Sequence, residues 1–127
     1  MSHEEVINRL VLAWNAQDVE AIVSAFADGG AYHEPAGPER CGLTHTGAAA
    51  IRRALTRIFA TFPDGRIVPA GPLVVAGDHA HCEWDFHWTT PGGAHRQARG
   101  VDLFTFEGNK LKHKSAYLKQ YAPAIST

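Results

Sequence analysis

Two carboxylates stand where an acidic side chain is unusual. Glu34 ends a short strand-like run and directly precedes Pro35, and the residue before a proline is forced into an extended conformation. Alternation along a second run puts Asp102 on one strand face with Phe104 and Phe106, so we expect it to be partly buried. Two such carboxylates can divide acid and base work when their surroundings push their pKa values apart. The pair predicts proton transfer, and the alternative for each residue is a structural hydrogen-bond acceptor.

Aromatic and imidazole side chains are available to line a cavity around these acids. Trp14 ends the apolar stripe of the first predicted helix, and Phe59 belongs to the apolar face of the third. Tyr32 shares a strand face with Glu34. The candidate binding residues are Trp14, Tyr32, Phe59, Phe104 and His113. Core packing is the alternative role for Trp14, Tyr32 and His113.

Composition predicts one globular domain covering residues 1–127. Of the 127 residues, 45% are hydrophobic and 20% are charged, which is ordinary for one domain. The net charge is −1 without a basic stripe, so no nucleic-acid partner is expected. No apolar run approaches the roughly 18 residues of a membrane span. Two cysteines make no disulfide framework and the N-terminus lacks the pattern of a signal peptide, so we expect a cytoplasmic protein.

Hydrophobic periodicity predicts three helices in the first half of the chain. The first covers about 3–16 and begins with the Ser2-x-x-Glu5 spacing of a capping box. Asp18 can cap a second, shorter helix. Residues 35–46 are rich in proline and glycine and predict a loop, after which Thr46 can cap the third helix.

From residue 66 onward the pattern is typical of an antiparallel meander. Runs rich in β-branched and aromatic residues alternate with hairpin signals, and they cover about 66–76, 79–90, 95–107 and 110–121. Pro69 and Pro72 favour an edge strand or a bulge in the first run. Three helices followed by a curved antiparallel sheet predict an α+β fold with the helices on one face of the sheet. Such a sheet forms a cone whose internal pocket can hold a small ligand.

Several segments resemble the nuclear transport factor 2-like superfamily, above all its SnoaL-like polyketide cyclase and ketosteroid isomerase branches. They are Ala-Trp-Asn-Ala-Gln-Asp at 13–18, Phe-Ala-Asp at 26–28, Glu-Pro-Ala-Gly-Pro-Glu at 34–39, Gly-Ala-Ala-Ala-Ile-Arg at 47–52 and Gly-Val-Asp-Leu-Phe-Thr-Phe at 100–106. The resemblance covers almost the whole chain and is specific for the fold. It is less specific for activity, because the superfamily contains both enzymes and binding modules.

The resemblance implies roles for the two carboxylates. In ketosteroid isomerases the carboxylate before this proline is similar to Glu34 and acts as the general base. A carboxylate similar to Asp102 is the oxyanion-hole acid, which its apolar site keeps protonated; in the cyclases it is the acid/base of ring closure. The tyrosine that completes the isomerase oxyanion hole falls at Leu10, which donates nothing. Tyr32 is a candidate replacement donor.

The orientation of the 79–90 strand has two interpretations. The aromatic pattern places Cys82, Trp84, Phe86 and Trp88 inward, whereas a gapless comparison with the isomerases places His81, Glu83, Asp85 and His87 inward. A slip of one residue exchanges the two faces. An inward polar face adds His87 or Asp85 to the site. An outward polar face makes these residues a solvated or dimer-facing row, which we favour.

A metal site has weaker support, although the chain contains eight histidines. His79, His81 and Glu83 share a strand face and would suit zinc or iron. No third histidine at helical spacing accompanies them, and the family resemblance implies no metal. We therefore predict neither a metal nor an organic cofactor.

These observations predict a cofactor-independent acid/base enzyme of the isomerase or cyclase type that enolises a small apolar carbonyl compound. The alternative is a binding module with the same cone, in which the carboxylates orient a ligand and no bond changes. The outward residues Val101, Leu103 and Thr105 would expose apolar surface. We therefore expect a homodimer that forms through the sheet.

Overall fold

The computed structural model describes residues 1–120 and contains three helices and seven strands. The helices are α1 (His3–Asn15), α2 (Val19–Ser24) and α3 (Ala48–Thr61). The strands are β1 (Phe26–Glu39), β2 (Gly42–Thr46), β3 (Arg66–Pro69), β4 (Val74–Ala76), β5 (His79–Thr89), β6 (His95–Glu107) and β7 (Lys110–Leu118). The predicted α+β fold, with three helices packed against a sheet, is confirmed.

The sheet has the order β2-β1-β7-β6-β5-β3, and β4 adds to β5. All neighbouring strands are antiparallel except β1 and β7, which pair in parallel. The prediction of a wholly antiparallel sheet is therefore wrong at this one pair. Hairpin residues in a sequence indicate pairing between consecutive strands. β1 and β7 are separated by most of the chain, so no turn residue between them indicates that they pair.

The predicted loop at 35–46 is also wrong. β1 continues to Glu39, and β2 returns beside it as a hairpin that pairs Glu34 with Leu43. The proline- and glycine-rich part is accommodated by a register shift between Glu34 and Glu39, because a bulge tolerates residues that cannot donate to the ladder. Thr46 therefore ends a strand instead of capping α3, whose N-cap residue is Gly47 without a side-chain hydrogen bond.

The other boundaries agree more closely with the sequence. The capping box of Ser2 and Glu5 starts α1, and Asp18 caps α2 by accepting from the Ala21 amide. The proline-containing first run divides into β3, at the sheet edge, and β4. The last predicted run ends at Leu118, and its final residue, Tyr121, lies outside the described residues.

The core lies between the helices and the sheet face that they cover. Its most deeply buried side chains come from all three helices and from β7, namely Ile7, Ile22, Ile51, Leu55 and Leu111. Leu10, to which the resemblance assigns the place of the isomerase tyrosine, is buried in the same core. None of the helices within residues 1–120 is long and apolar enough to cross a membrane.

Candidate functional site

An apolar cavity of about 220 Å³ lies between the helices and the sheet. Aromatic residues from α1, from the residue after α3 and from β5 provide much of its wall, namely Trp14, Phe62, Trp84, Phe86 and Trp88. Among the described residues, Glu34 and Lys114 are the charged side chains in the lining. The cavity is therefore suited to a small apolar molecule that carries a limited number of polar atoms.

A larger depression of about 730 Å³ lies elsewhere, beside α2 and the start of β1. Its lining includes the exposed side chains of Asp28, Glu107 and Lys110. It is a surface groove without the enclosing aromatic wall of the smaller cavity. The smaller cavity is the better candidate, since ligand sites bury most of a small molecule.

Glu34 lies in the cavity wall, where the sequence predicted it. Its side chain is 13% exposed, and its Oε2 atom accepts from His45 Nε2 at 2.6 Å and from Arg57 Nη2. His45 comes from β2 and Arg57 from α3, so the hairpin and the helix together fix the carboxylate. Within residues 1–120 no hydrogen bond reaches Oε1. That oxygen is available to a ligand.

Asp102 is buried beneath the cavity lining and is not part of it. Its exposure is 5%, and it shares the inward face of β6 with Phe104 and Phe106, as the alternation predicted. Oδ1 accepts from Lys114 Nζ at 3.2 Å. Burial raises the pKa of Asp102, and the Lys114 ammonium opposes this shift. Glu34 therefore reaches the cavity directly, whereas Asp102 reaches it through Lys114.

Lys114 is the functional residue that the sequence reasoning missed. It is 3% exposed, and its Nζ lies 4.3 Å from the centroid of the Trp14 ring and 4.8 Å from that of Tyr32. A buried ammonium is costly unless it is paired. Here the Asp102 carboxylate and the two aromatic faces stabilise it. The cavity thus contains a fixed positive charge that is shielded from water.

A bulge in β7 explains why alternation failed on this strand. Thr105 pairs with His113 but the next residue, Phe106, pairs with Leu111, so Lys112 is an extra residue. Leu111 and Lys114 therefore both point inward, although they are three residues apart. An extra residue of this kind moves every later side chain on the strand to the opposite face of the sheet from the one that simple alternation predicts.

His113 was expected to line the cavity, and the structure corrects this. The bulge places it on the opposite face of β7 from Lys114, where its Nδ1 is 3.0 Å from Nε2 of His33. The two imidazoles stack with their centroids 5.2 Å apart. His113 is therefore half-buried outside the cavity.

His87 is likewise placed outside the cavity. The aromatic face of β5 is inward, and the cavity lining includes Trp84, Phe86 and Trp88. His87 lies on the other face, with Nδ1 3.1 Å from Nε2 of His95. The sequence left two orientations of this strand open, and the structure shows the one that keeps His87 out of the site. Burying the large aromatic rings is more favourable in free energy than burying the row of polar side chains.

Tyr32 and Trp14 contribute to the cavity lining, while Phe59 and Phe104 lie behind it. Tyr32 is 4% exposed, and its ring meets that of Trp14 edge-on. Burial, followed by the charges of Asp102 and Glu34, raises the pKa of the phenol, so it remains a hydrogen-bond donor. Phe59 packs edge-on against Trp14 at 5.5 Å, and Phe104 is a core residue.

Residues 7–114 match the family model described as a SnoaL-like domain. The chain belongs to the SnoaL-like family. No curated protein matches the sequence, so the remaining comparisons concern solved structures.

Solved structures share the fold of this SnoaL-like chain. A protein with a ketosteroid isomerase-like fold from Catenulispora acidiphila, in complex with trimethylamine, is 22% identical with a TM-score of 0.79, covering 89% of this chain and 84% of that one. An NTF2-like protein of unknown function from Burkholderia pseudomallei is 19% identical with a TM-score of 0.80, covering 94% and 92%. A candidate SnoaL-like polyketide cyclase from Jannaschia sp. CCS1 is 17% identical with a TM-score of 0.78, covering 91% and 84%.

No metal-binding cluster of three or more His, Cys, Asp or Glu side chains is found in the part of this SnoaL-like chain that the structure describes. His79, His81 and Glu83 remain a row on the exposed face of β5. The groups that the fold brings together are instead a carboxylate from β1 and an ammonium from β7, across an aromatic cavity. Such a pair can remove a proton from a carbon acid and stabilise the negative charge that results.

Proposed function

We propose that this protein is a cofactor-independent acid/base enzyme that enolises a small, largely apolar carbonyl compound. The observation that carries the proposal is the pairing of Glu34 and Lys114 as the charged groups in the lining of an otherwise apolar cavity. The family supports the reaction class, because its cyclase and isomerase branches use enolisation.

The strand register supports a binding mode in which one small molecule lies between the two charged groups. Tyr32 pairs with Lys114 across the parallel β1 and β7 strands, and Glu34 lies two residues further along β1 on the same face. Two residues of strand correspond to roughly 6–7 Å. A ligand whose carbonyl oxygen contacts Lys114 therefore presents the neighbouring carbons toward Glu34.

Glu34 is the proposed general base. Its Oε1 atom takes a proton from the carbon next to the carbonyl, while His45 and Arg57 hold Oε2. The electron pair of the broken C–H bond moves toward the carbonyl oxygen. Where the enolate is conjugated with a double bond, return of the proton to the far carbon of that system isomerises the compound. Where the enolate carbon attacks a second carbonyl group, a ring closes and the proton held by Glu34 passes to the new alkoxide.

Lys114 is the proposed donor to the enolate oxygen, and Asp102 is its positioning residue. A preorganised charge in a site that excludes water stabilises a developing oxyanion more strongly than water does. This assigns to Lys114 the contact that the resemblance implies for Asp102, and the Asp102 bond fixes the ammonium for it. Tyr32 is available as a further donor.

One observation favours the alternative of a ligand-binding module. The Oε2 atom of Glu34 already accepts from both His45 and Arg57, so the carboxylate already serves to connect the hairpin with α3. The C. acidiphila protein of similar fold is in complex with trimethylamine. In a binding module the same groups would orient the ligand without moving a proton.

Proton exchange distinguishes the two functions. Acetophenone, cyclohexanone and 1-indanone are incubated with the protein in deuterated water, and NMR follows deuterium entering beside the carbonyl. We expect exchange above the buffer rate with wild type and with the exposed control Glu107→Gln, and a loss of at least roughly 100-fold for Glu34→Gln, as for removal of a general base. Ketone binding without exchange would favour the binding module.

A further inference from the structure

Gln17 has a backbone conformation that residues with a side chain rarely adopt. It directly follows the C-cap residue of α1 with a φ of 53°, and among the described residues it is the one residue other than glycine with a positive φ. Its amide donates to the Trp14 carbonyl oxygen, and the Asp18 amide donates to the Ala13 carbonyl oxygen. These two bonds form a Schellman motif, in which glycine is the usual residue at this position. Ending the helix therefore does not explain why a glutamine is present.

The side chain of Gln17 supplies the explanation. Its Nε2 atom donates to the carbonyl oxygens of Phe62 and Pro63, at 3.1 Å each. An amide NH₂ group has two hydrogens, so each carbonyl oxygen receives one of them. A glycine at this position would relieve the backbone strain but would lose both bonds. The strained conformation thus carries a side chain that connects the end of α1 to a turn 45 residues further along the chain.

The turn that Gln17 contacts is held from two sides. Phe62 follows α3, and its carbonyl oxygen also accepts from the Gly65 amide at 2.9 Å, which closes the turn. Oδ1 of Asp64, inside the turn, accepts from the Thr89 amide at 3.1 Å. The turn is therefore fixed between the end of α1 and the end of β5.

This turn contributes the Phe62 ring to the cavity wall. Phe62 lines the cavity and meets the rings of Phe86 and Trp88 edge-on, with centroid distances of 5.3 Å and 5.7 Å. All three rings are half-buried, whereas Trp14 and Trp84 in the same lining are buried. The three half-buried rings therefore form the outer part of the wall, which a larger ligand must contact.

A second amide of α1 acts on the same segment. Asn15 Nδ2 donates to the Ile67 carbonyl oxygen at 2.9 Å, and the Ile67 amide donates to Asn15 Oδ1 at 2.8 Å. Ile67 is buried and also lines the cavity. The end of α1 therefore fixes the segment 62–67 at both of its ends, and each end carries a lining side chain.

We infer that Gln17 is a positioning residue that holds the Phe62 ring in the cavity wall and thereby limits the size of the ligand that the cavity accepts. The inference rests on the cavity being the ligand site of the proposed function. It deepens that function by naming the contact that sets the size limit, and it does not depend on whether the bound compound is enolised.

The variant Gln17→Asn separates the role of the side chain from that of the backbone. Asparagine tolerates a positive φ and keeps the amide, but it is one methylene shorter and does not reach the two carbonyl oxygens. Titration measures the binding of acetophenone and of 4-tert-butylacetophenone to the intact protein. We expect wild type to prefer acetophenone by roughly tenfold or more, the scale on which a filled pocket rejects an added alkyl group. Gln17→Asn should lose most of this preference, because the Phe62 ring is then free to move outward.

Two further variants keep the test independent of folding. Gln17→Gly adopts a positive φ without strain, so it keeps the helix end and should also lose the preference. Gln97→Asn is the matched control, since Gln97 is exposed on the outer face of β6, and it should keep the preference of wild type.

The position of the Phe62 ring is followed directly by ¹⁹F NMR. The protein is produced with 4-fluorophenylalanine, and the Phe62 signal is assigned by its absence from Phe62→Leu. In wild type the signal should differ from that of the free amino acid and should shift when acetophenone binds. In Gln17→Asn it should move toward the free value, which a residue that only ends the helix would not cause.

Equal affinities of wild type for the two ketones, an unchanged preference in both Gln17 variants, or an unmoved Phe62 signal in Gln17→Asn would overturn the inference. The two proposals fail separately, because binding and ¹⁹F shifts need no turnover. A size preference that depends on Gln17, without deuterium exchange, would support the positioning role and refute enolisation. Exchange with a preference that is independent of Gln17 would support enolisation and refute the positioning role.

Discussion

Replacing Lys114 with Met removes the positive charge from the cavity and keeps most of the aliphatic chain. The Asp102 carboxyl group, which is 5% exposed, is then left without its cation. Breaking a buried ion pair by removing one partner typically costs ~3–5 kcal/mol. Against a total of ~5–15 kcal/mol for an ordinary domain, we expect Lys114→Met to lose a large part of its free energy of unfolding at pH 8.

The loss should become smaller as the pH falls. Burial raises the pKa of Asp102, and the charge of Lys114 opposes this shift, so the variant without Lys114 binds a proton on Asp102 at a higher pH than the unfolded chain does. The stability that this proton contributes is fully present below the unfolded pKa of ~3.9 and is lost as pH rises through the folded pKa. The difference between wild type and Lys114→Met should therefore grow from pH 5 to pH 8.

Urea unfolding followed by tryptophan fluorescence measures this difference at each pH. Lys112→Met is the control, because Lys112 is an exposed neighbour on the same strand and should change stability by no more than ~0.5 kcal/mol. The double variant Lys114→Met with Asp102→Leu should recover most of the loss, since an apolar pair can replace a buried ion pair. A loss below ~1 kcal/mol at pH 8, or an equal loss at pH 5 and pH 8, would refute the view that Lys114 compensates a buried charge.

Two further predictions concern the sheet. Gly100→Ala should destabilise the protein by ~1–3 kcal/mol and weaken ketone binding. The reason is that the added Cβ would lie 2.4 Å from the Trp84 ring and 2.5 Å from the Tyr117 carbonyl oxygen. Unchanged urea unfolding would contradict this. We also propose that the protein forms a homodimer through the outer face of the sheet, where Leu103 is 43% exposed and Tyr117 is 56% exposed. Light scattering should give twice the chain mass for wild type and a monomer for Leu103→Asp. A monomeric wild type at micromolar concentration would count against the dimer.

Local signals in the sequence were enough for most of the elements. Ser2, Glu5 and Asp18 satisfy backbone amides within three residues of themselves, so the helix starts can be read without knowing the fold. The inward aromatic face of β5 also follows from its own residues, since Trp84, Phe86 and Trp88 outweigh the polar row in buried area.

Non-local pairing explains what could not be predicted. The hairpin of β1 and β2 passes through prolines and glycines that usually indicate a loop, and the parallel pairing of β1 with β7 has no sequence signature. Nothing in the lysine-rich run of β7 reveals the extra residue at Lys112. Without that bulge, alternation places His113 inward and Lys114 outward, which reverses their observed positions.

The sequence indicated the chemistry of the candidate site better than it indicated which residues form the site. A carboxylate before a proline is conspicuous in a sequence, and Glu34 does line the cavity. A lysine among other lysines is not conspicuous, because such residues are normally solvated. Its burial depends on Asp102, Trp14 and Tyr32, which come from three other elements.

The parallel pairing of β1 and β7 also bears on how fast the protein can fold. His33 and His113, which meet across this pair, are 80 residues apart, and contacts of such long sequence separation slow folding because a large loop must close before they form. The helices and the β5–β6–β7 meander can form from near neighbours. We therefore expect the cavity, which needs Glu34 from β1 and Lys114 from β7, to form only when these two strands pair.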